Sequence, residues 1–303
     1  MLSICIPIFN YDVRELAYKL HLQATENLPA FEILLVDDHS DKKYRKLNSE
    51  LQELENISYT ELDENIGRSK IRNLLAEKAQ FENILFLDCD VEIIRNDFLS
   101  NYYRQIQIGE KVVCGGHIYQ EAPPGKENYL HWYYGTQREV KPVAERQKAP
   151  NDSFMTANFL IAKELFKKIR FDERISGYGH EDTLLGCELD KFGINTNHID
   201  NPVLHAGLDT GTQFLEKTRE SMRNLLKLYQ FKRFDKKISH KIKALRAFHT
   251  ARKLGMHIII AKLFSAFRQK MENNLLGLRP RLFILDLYKL GYLCQVKPGK
   301  KMN

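Results

Sequence analysis

At 303 residues, 43% apolar and 28% charged, the chain has the makeup of a globular protein with one large core, or one core and an appendage. No uncharged apolar stretch nears the roughly 20 residues that span a bilayer. Met1 leads straight into a strand-like run with no signal peptide, and five scattered cysteines without a CxxC pair argue against a zinc site or a disulfide framework.

Leu2 to Ile8 is a short apolar run with Pro7 near its end, and Phe9-Asn10 follow as a loop. Asp12 to Leu22 carries Val13, Leu16, Ala17 and Leu20 near helical spacing, with Asp12 placed as an N-cap. A second strand, Phe31 to Val36, ends in Asp37-Asp38-His39-Ser40-Asp41. A helix over 42–54 and a third strand from Ile57 to Leu62 come next. Asn65-Ile66-Gly67-Arg68-Ser69 then opens a helical pattern with Ile71, Leu74, Leu75 and Ala79 on one face. Strand Ile84 to Leu87 runs into Asp88-Cys89-Asp90. Strands alternating with helices predict an α/β fold, a mostly parallel sheet flanked by helices. Such open sheets bind ligands where their strand ends converge.

Lys111 to His117 reads as a further strand. Ile118 to Ser153 shows no clear periodicity, which points to a functional loop or partial disorder. Asn158 to Ile161 and Lys163 to Ile169 return to strand and helix. Gly177-Tyr178-Gly179-His180-Glu181-Asp182 leads into a helical Thr183 to Leu189, and Val203-Leu204-His205 closes this part.

Asp88 and Asp90 share one face at a strand's mouth, because side chains alternate along a strand. Two carboxylates so placed repel, and a hard divalent ion that also grips a phosphate is the usual solution. A polar turn after a strand is the plain alternative.

Five segments in order, Ser3 to Asn10, Val36 to Asp41, Asn65 to Asn73, Asp88-Cys89-Asp90 and Gly179 to Asp182, resemble family 2 glycosyltransferases of the Rossmann-like GT-A fold. The resemblance covers roughly the first 210 residues. It implies a nucleotide-sugar donor, with Pro7, Phe9, Asp38, Arg68, Arg72 and Asp88 around the nucleotide and Asp38 accepting the imide N–H of uracil. Core packing is the other reading of Phe9, and Asp37 ranks below Asp38 because it can cap or hold a loop. It also implies a divalent metal, Mn2+ or Mg2+, held by Asp90 and, after a short apolar run, His205. A lone histidine is otherwise more often structural. Asp182 takes the family's general-base position in an inverting transfer, with Glu181 or His180 orienting the acceptor; a helix-terminal acid is favourable there in any case. His180 and His39 depart from the family's usual residues. Between 118 and 153, Tyr119, Tyr129, His131, Trp132, Tyr133 and Tyr134 suit an acceptor-binding lid or a patch packed on the sheet.

The net charge of +7 is unevenly spread. Residues 1–211 carry 24 Lys+Arg and 34 Asp+Glu, whereas 212–303 carry 22 and 5. This divides the chain into a catalytic domain, 1–211, and a basic, mainly helical extension, 212–303. Phe214, Leu215, Thr218, Met222 and Leu225 fall at helical spacing, and Ile238, Ile242, Leu245 and His249 repeat it beyond Lys236-Lys237. Peripheral contact with an anionic membrane is one reading of these basic amphipathic helices. Packing on the enzyme and a homodimer interface are the others, and a nucleic-acid partner does not fit the acidic domain. The sequence and the resemblance therefore predict a cytoplasmic, metal-dependent, inverting glycosyltransferase, at the inner face of the cell membrane if the extension binds there. Its donor is a UDP-sugar, its acceptor a glycan or lipid-linked hydroxyl, and its role cell-surface polysaccharide synthesis. A nucleotidyltransferase and a non-catalytic nucleotide- or glycan-binding module of the same fold are the alternatives.

Overall fold

The computed structural model describes residues 1–175, 177–230 and 242–296, which form two compact units. Lys236, Lys237 and Ile238, read above as part of the tail pattern, lie outside the described residues. The first unit comprises Met1–Gln120, Arg138–Gly177 and Glu181–Gly207. The second takes in Glu121–Gln137, Tyr178–His180 and the described residues from Leu208 onward.

The first unit is built on a seven-stranded sheet. Its strands are β1 (Leu2–Ile8), β2 (Phe31–Asp37), β3 (Ile57–Glu61), β4 (Asn83–Leu87), β6 (Val112–Cys114), β8 (Asn158–Ala162) and β9 (Asn197–His198), in the order β3-β2-β1-β4-β8-β6-β9. Strands β1 to β4 pair in parallel, and β8 runs antiparallel between β4 and β6. Helices α1 (Arg14–Asn27), α2 (Lys42–Asn48), α3 (Arg68–Lys78) and α4 (Phe98–Gln107) are interleaved with these strands.

Burial on both faces explains the unbroken apolar runs of the central strands. Ile4, Ile6 and Ile8 pack with Leu16 and Leu20 of α1 and Phe98 and Tyr102 of α4. Cys5 and Phe86 face the other way, against Ile71 and Leu75 of α3. Pro7 sits in this central strand two residues beyond the last β1–β4 pair, Cys5 with Phe86, where its missing N–H breaks no ladder bond to β4.

A second sheet of three short strands, β5 (Val91–Glu92), β10 (Val203–His205) and β7 (His117–Ile118), has β10 in the middle. The single strand expected from Lys111 to His117 is thus two strands in different sheets, broken at Gly115-Gly116. Gly116 has a φ of 84°, and a Cβ on Gly115 would fall 2.4 Å from the Asn201 carbonyl oxygen. Three other expectations are corrected. Helix α1 starts at Arg14 with Val13 at the cap, and Asp12 instead binds the main-chain N–H and guanidinium of Arg14. The helix over 42–54 gives way to a 3-10 turn, Ser49–Glu53. The stretch 118–153 is not structureless: it holds α5 (Tyr129–Tyr134), a π turn (Gly135–Glu139), α6 (Val143–Arg146) and a 3-10 turn (Asn151–Ser153). Helices α7 (Lys163–Phe166) and α8 (Glu181–Lys191) complete the unit.

In the second unit α5 meets α9 (Gly211–Gln230), where the His131 and Phe214 rings lie 5.2 Å apart and Asp209 donates its N–H to His131 Nδ1. Three helices follow, α10 (Lys243–Lys253), α11 (His257–Leu275) and α12 (Leu282–Gln295). Helices α11 and α12 approach closely because Gly291 lies against the Phe264 ring, where a Cβ would come within 2.5 Å. Arg219 and Arg268 converge on Glu272, which also accepts the Tyr288 hydroxyl at 2.7 Å. Among the described residues no helix is long and apolar enough to cross a membrane.

Candidate active site

The ends of β1, β2 and β4 and the start of α3 form one polar edge. The Asp38 side chain, almost fully buried, accepts the main-chain N–H groups of Ile66 (2.7 Å) and Gly67 (2.9 Å), so it fixes the entry to α3. Burial raises the Asp38 carboxyl, and those two amides work against the rise. Each oxygen keeps a lone pair for a further donor. Asp37 instead holds its own loop, with Oδ1 taking the Ser40 N–H and Oδ2 the Tyr59 hydroxyl. Phe9, at the mouth of β1, is 52% exposed and does not belong to the core.

Gly67, with a φ of 83°, caps α3 and lets Arg68 and Arg72 share one helix face four residues apart. Arg72 is fully buried and binds Asp88 Oδ1 at 2.5 Å. Burial alone would raise the Asp88 carboxyl; the Arg72 and Arg68 guanidiniums hold it below its ordinary value. Arg68 reaches Glu181 Oε1 at 3.3 Å. Lys70, two positions on from Arg68, points to solvent.

Asp90 and His205 meet because β10 pairs antiparallel with β5, His205 opposite Val91. Asp90 Oδ1 stands 3.8 Å from His205 Nδ1, while the Asp90 carbonyl accepts the N–H groups of Ala206 and Gly207. The His205 ring touches Tyr119 edge-on at 5.3 Å, and the Tyr119 hydroxyl binds Glu139 at 2.6 Å. His117, beside both rings, has both ring nitrogens buried without a hydrogen-bond partner. An oxygen and a nitrogen facing each other beyond hydrogen-bond range fit two ligands of a divalent ion. Among the described residues no group of three or more metal-ligating side chains is assembled. Mg2+ and Mn2+ sites that complete their shell from substrate phosphate and water need no more than such a pair.

Glu181 and Asp182 open α8, where acids are favoured by the helix dipole. Asp182 Oδ1 accepts the Thr183 N–H at 2.8 Å. Burial, the adjoining Glu181 charge and Glu139 push the Asp182 carboxyl up to about 7. Glu181 is buried, and its Oε2 has no hydrogen-bond partner. Cys89, between the two aspartates, is no rival nucleophile, since burial and the Asp90 charge push its thiol up to about 12.

The remaining expected positions belong to the second unit. His180, with a left-handed φ of 75°, lies 3.1 Å through Nε2 from the Ser221 hydroxyl. Trp132 packs on Tyr129 within α5, ring centroids 5.5 Å apart. Gly207, His117 and Glu139 were not singled out from sequence, and Tyr119 was read only as one of the aromatics between 118 and 153. A glycine two residues after His205 was the one available signal; His117 and Tyr119 come in through the pairing of β7 with β10, and Glu139 through the Tyr119 hydroxyl.

The family model described as glycosyl transferase family 2 matches residues 3–170. No curated protein matches the chain. Among solved structures, the mannosyltransferase PcManGT from Pyrobaculum calidifontis, in complex with GDP-Man and Mn2+, is similar with a TM-score of 0.59. It is 16% identical, over 96% of this chain and 85% of that one. S. aureus TarS 1–349 gives a TM-score of 0.45 at 15% identity, over 97% of this chain and 90% of that one. The first of these likenesses shows the GT-A fold.

Proposed function

This chain belongs to glycosyl transferase family 2, and we propose that it catalyses inverting, metal-dependent transfer of a sugar from a UDP-sugar to a hydroxyl of a glycan or lipid-linked acceptor. The observation that carries this reading is the state of Asp182. Its pKa of about 7 suits a group that must be anionic when it receives a proton and still basic enough to take one. Its neighbours are engaged, Glu181 by Arg68 and Glu139 by Tyr119, which leaves Asp182 as the carboxylate poised for the acceptor.

The acceptor oxygen attacks the anomeric carbon from the face opposite the diphosphate, and its proton passes to Asp182. The bond from anomeric carbon to diphosphate oxygen breaks, and the diphosphate leaves with the electron pair. Glu181 Oε2 offers an acceptor for a neighbouring hydroxyl and so orients the incoming sugar. Asp38 receives the base, and Arg68 lies near the phosphates. Asp90 and His205 would hold Mn2+ or Mg2+, which supplies Lewis-acid stabilisation of the leaving diphosphate when bound. The PcManGT complex contains Mn2+ and supports divalent metal use. The role assigned to it is cell-surface polysaccharide synthesis, and five unpaired cysteines accord with a reducing compartment.

Thermal stabilisation by a panel of UDP- and GDP-sugars, with and without Mn2+, identifies the donor, because a ligand bound only to the folded state raises the melting temperature. Proton NMR of the product then reads the anomeric configuration. Retention of the donor's configuration would remove the single-displacement mechanism, and no response to any nucleotide sugar would remove the transfer reading.

A further inference from the structure

The turn between α10 and α11 and the outer side of α11 expose Leu254, Met256, Ile258, Ile259, Leu263 and Phe267, each at 47% or more of its full surface. Ile259, Leu263 and Phe267 are four residues apart and form one exposed stripe along the helix, turned roughly 100° about its axis from the buried Phe264. A continuous apolar surface of this kind is costly in water and marks a contact. Along α10, α11 and the turn between them the charge is nearly all of one sign. Residues 243–275 hold seven Lys and Arg against a single acid, Glu272, which is already bound by Arg268. Lys262 and Lys270 flank the stripe itself, and Lys270 lies over the Phe267 ring, 5.7 Å from its centroid. Arg252 and Lys253, both exposed, stand just before the turn.

We propose that this face docks the protein on an anionic membrane leaflet, with the stripe in the acyl boundary and the flanking cations among the headgroups. Charge decides between a membrane and a second copy of the chain. An isologous dimer would bring Lys262 and Lys270 against the same basic rim of its partner, whereas acidic headgroups complement it. The proposal deepens the reading of the acceptor as lipid-linked, yet vesicle binding is measured without donor or acceptor, so either can fail alone.

The experiment is co-sedimentation of the full chain with phosphatidylcholine vesicles, with or without phosphatidylglycerol, at about 0.05 M and about 0.5 M salt. The protein should pellet with anionic vesicles at low salt and be released at high salt. Ile259→Ser/Leu263→Ser/Phe267→Ser should lose binding while keeping its circular dichroism. Lys262→Glu/Lys270→Glu, which leaves the stripe intact, should weaken vesicle partition by about tenfold or more. Wild-type protein that ignores anionic vesicles at low salt would overturn the proposal. So would a dimer in gel filtration that the triple variant turns into monomer while vesicle binding stays absent.

Discussion

Gly207 lies so close to Asp90 that a Cβ on it would fall 2.5 Å from the Asp90 Cβ and 2.6 Å from Oδ2. The nearest atom is the Asp90 Cβ, which a change of rotamer does not move, so Gly207→Ala must shift Asp90 and disturb its approach to His205. Displacing the support of a metal ligand costs roughly 10- to 100-fold in affinity. Calorimetry with UDP and Mn2+ should show that loss for Gly207→Ala and a complete loss of metal-dependent binding for Asp90→Ala. Wild-type Mn2+ dependence in both variants would remove the metal from this pair.

Asp182→Asn should separate binding from chemistry. Donor binding stays near the wild-type value, because Asn still accepts the Thr183 N–H, while transfer falls roughly a hundred- to ten-thousandfold. In the wild type the base works only when ionised, and its carboxyl titrates at about 7. The turnover rate should therefore fall about tenfold per unit below that pH and level off above it. A rate that is flat from about pH 5 to pH 8 would exclude Asp182 as the titrating base.

Arg72 is buried and pairs with the part-buried Asp88, so breaking one side leaves a charge without its partner. Arg72→Met should destabilise the protein by about 3 kcal/mol. Urea unfolding of Arg72→Met, Asp88→Leu and the double variant gives the coupling directly. Strict additivity of the two single effects would mean the pair contributes nothing.

Much of this site could be read from the sequence, for a physical reason. β1, β2 and β4 are buried on both faces, so each reads as an unbroken apolar run, and the acids just after them stand out. β8 was legible as a strand, but its antiparallel place between β4 and β6 depends on a long-range pairing that leaves no local pattern. Two- and three-residue strands such as β7 and β10 are too short to show a period, so the cluster of His117, Tyr119 and Glu139 about His205 was invisible. Helix α5 was missed because its run Tyr129-Leu130-His131-Trp132-Tyr133-Tyr134 is amphipathic in neither helical nor strand register. A π turn next to it adds no pattern of its own.

The raised carboxyl of Asp182 also predicts a stability effect whose sign follows from linkage. In the unfolded chain this group titrates near its ordinary value of 3.8, in the folded protein at about 7. Between those values the folded state binds the proton more tightly, so stability falls as pH rises, and above the upper value the loss is complete. Asn at this position cannot ionise and escapes the loss. Asp182→Asn should therefore match the wild type at about pH 4 and exceed it by about 1–3 kcal/mol at about pH 8, with partial solvation of the carboxylate reducing the gain. A set of urea unfolding curves from acid to alkaline pH checks both the sign and the window. A gap that is constant with pH would mean that Asp182 is ionised throughout and that its burial costs nothing.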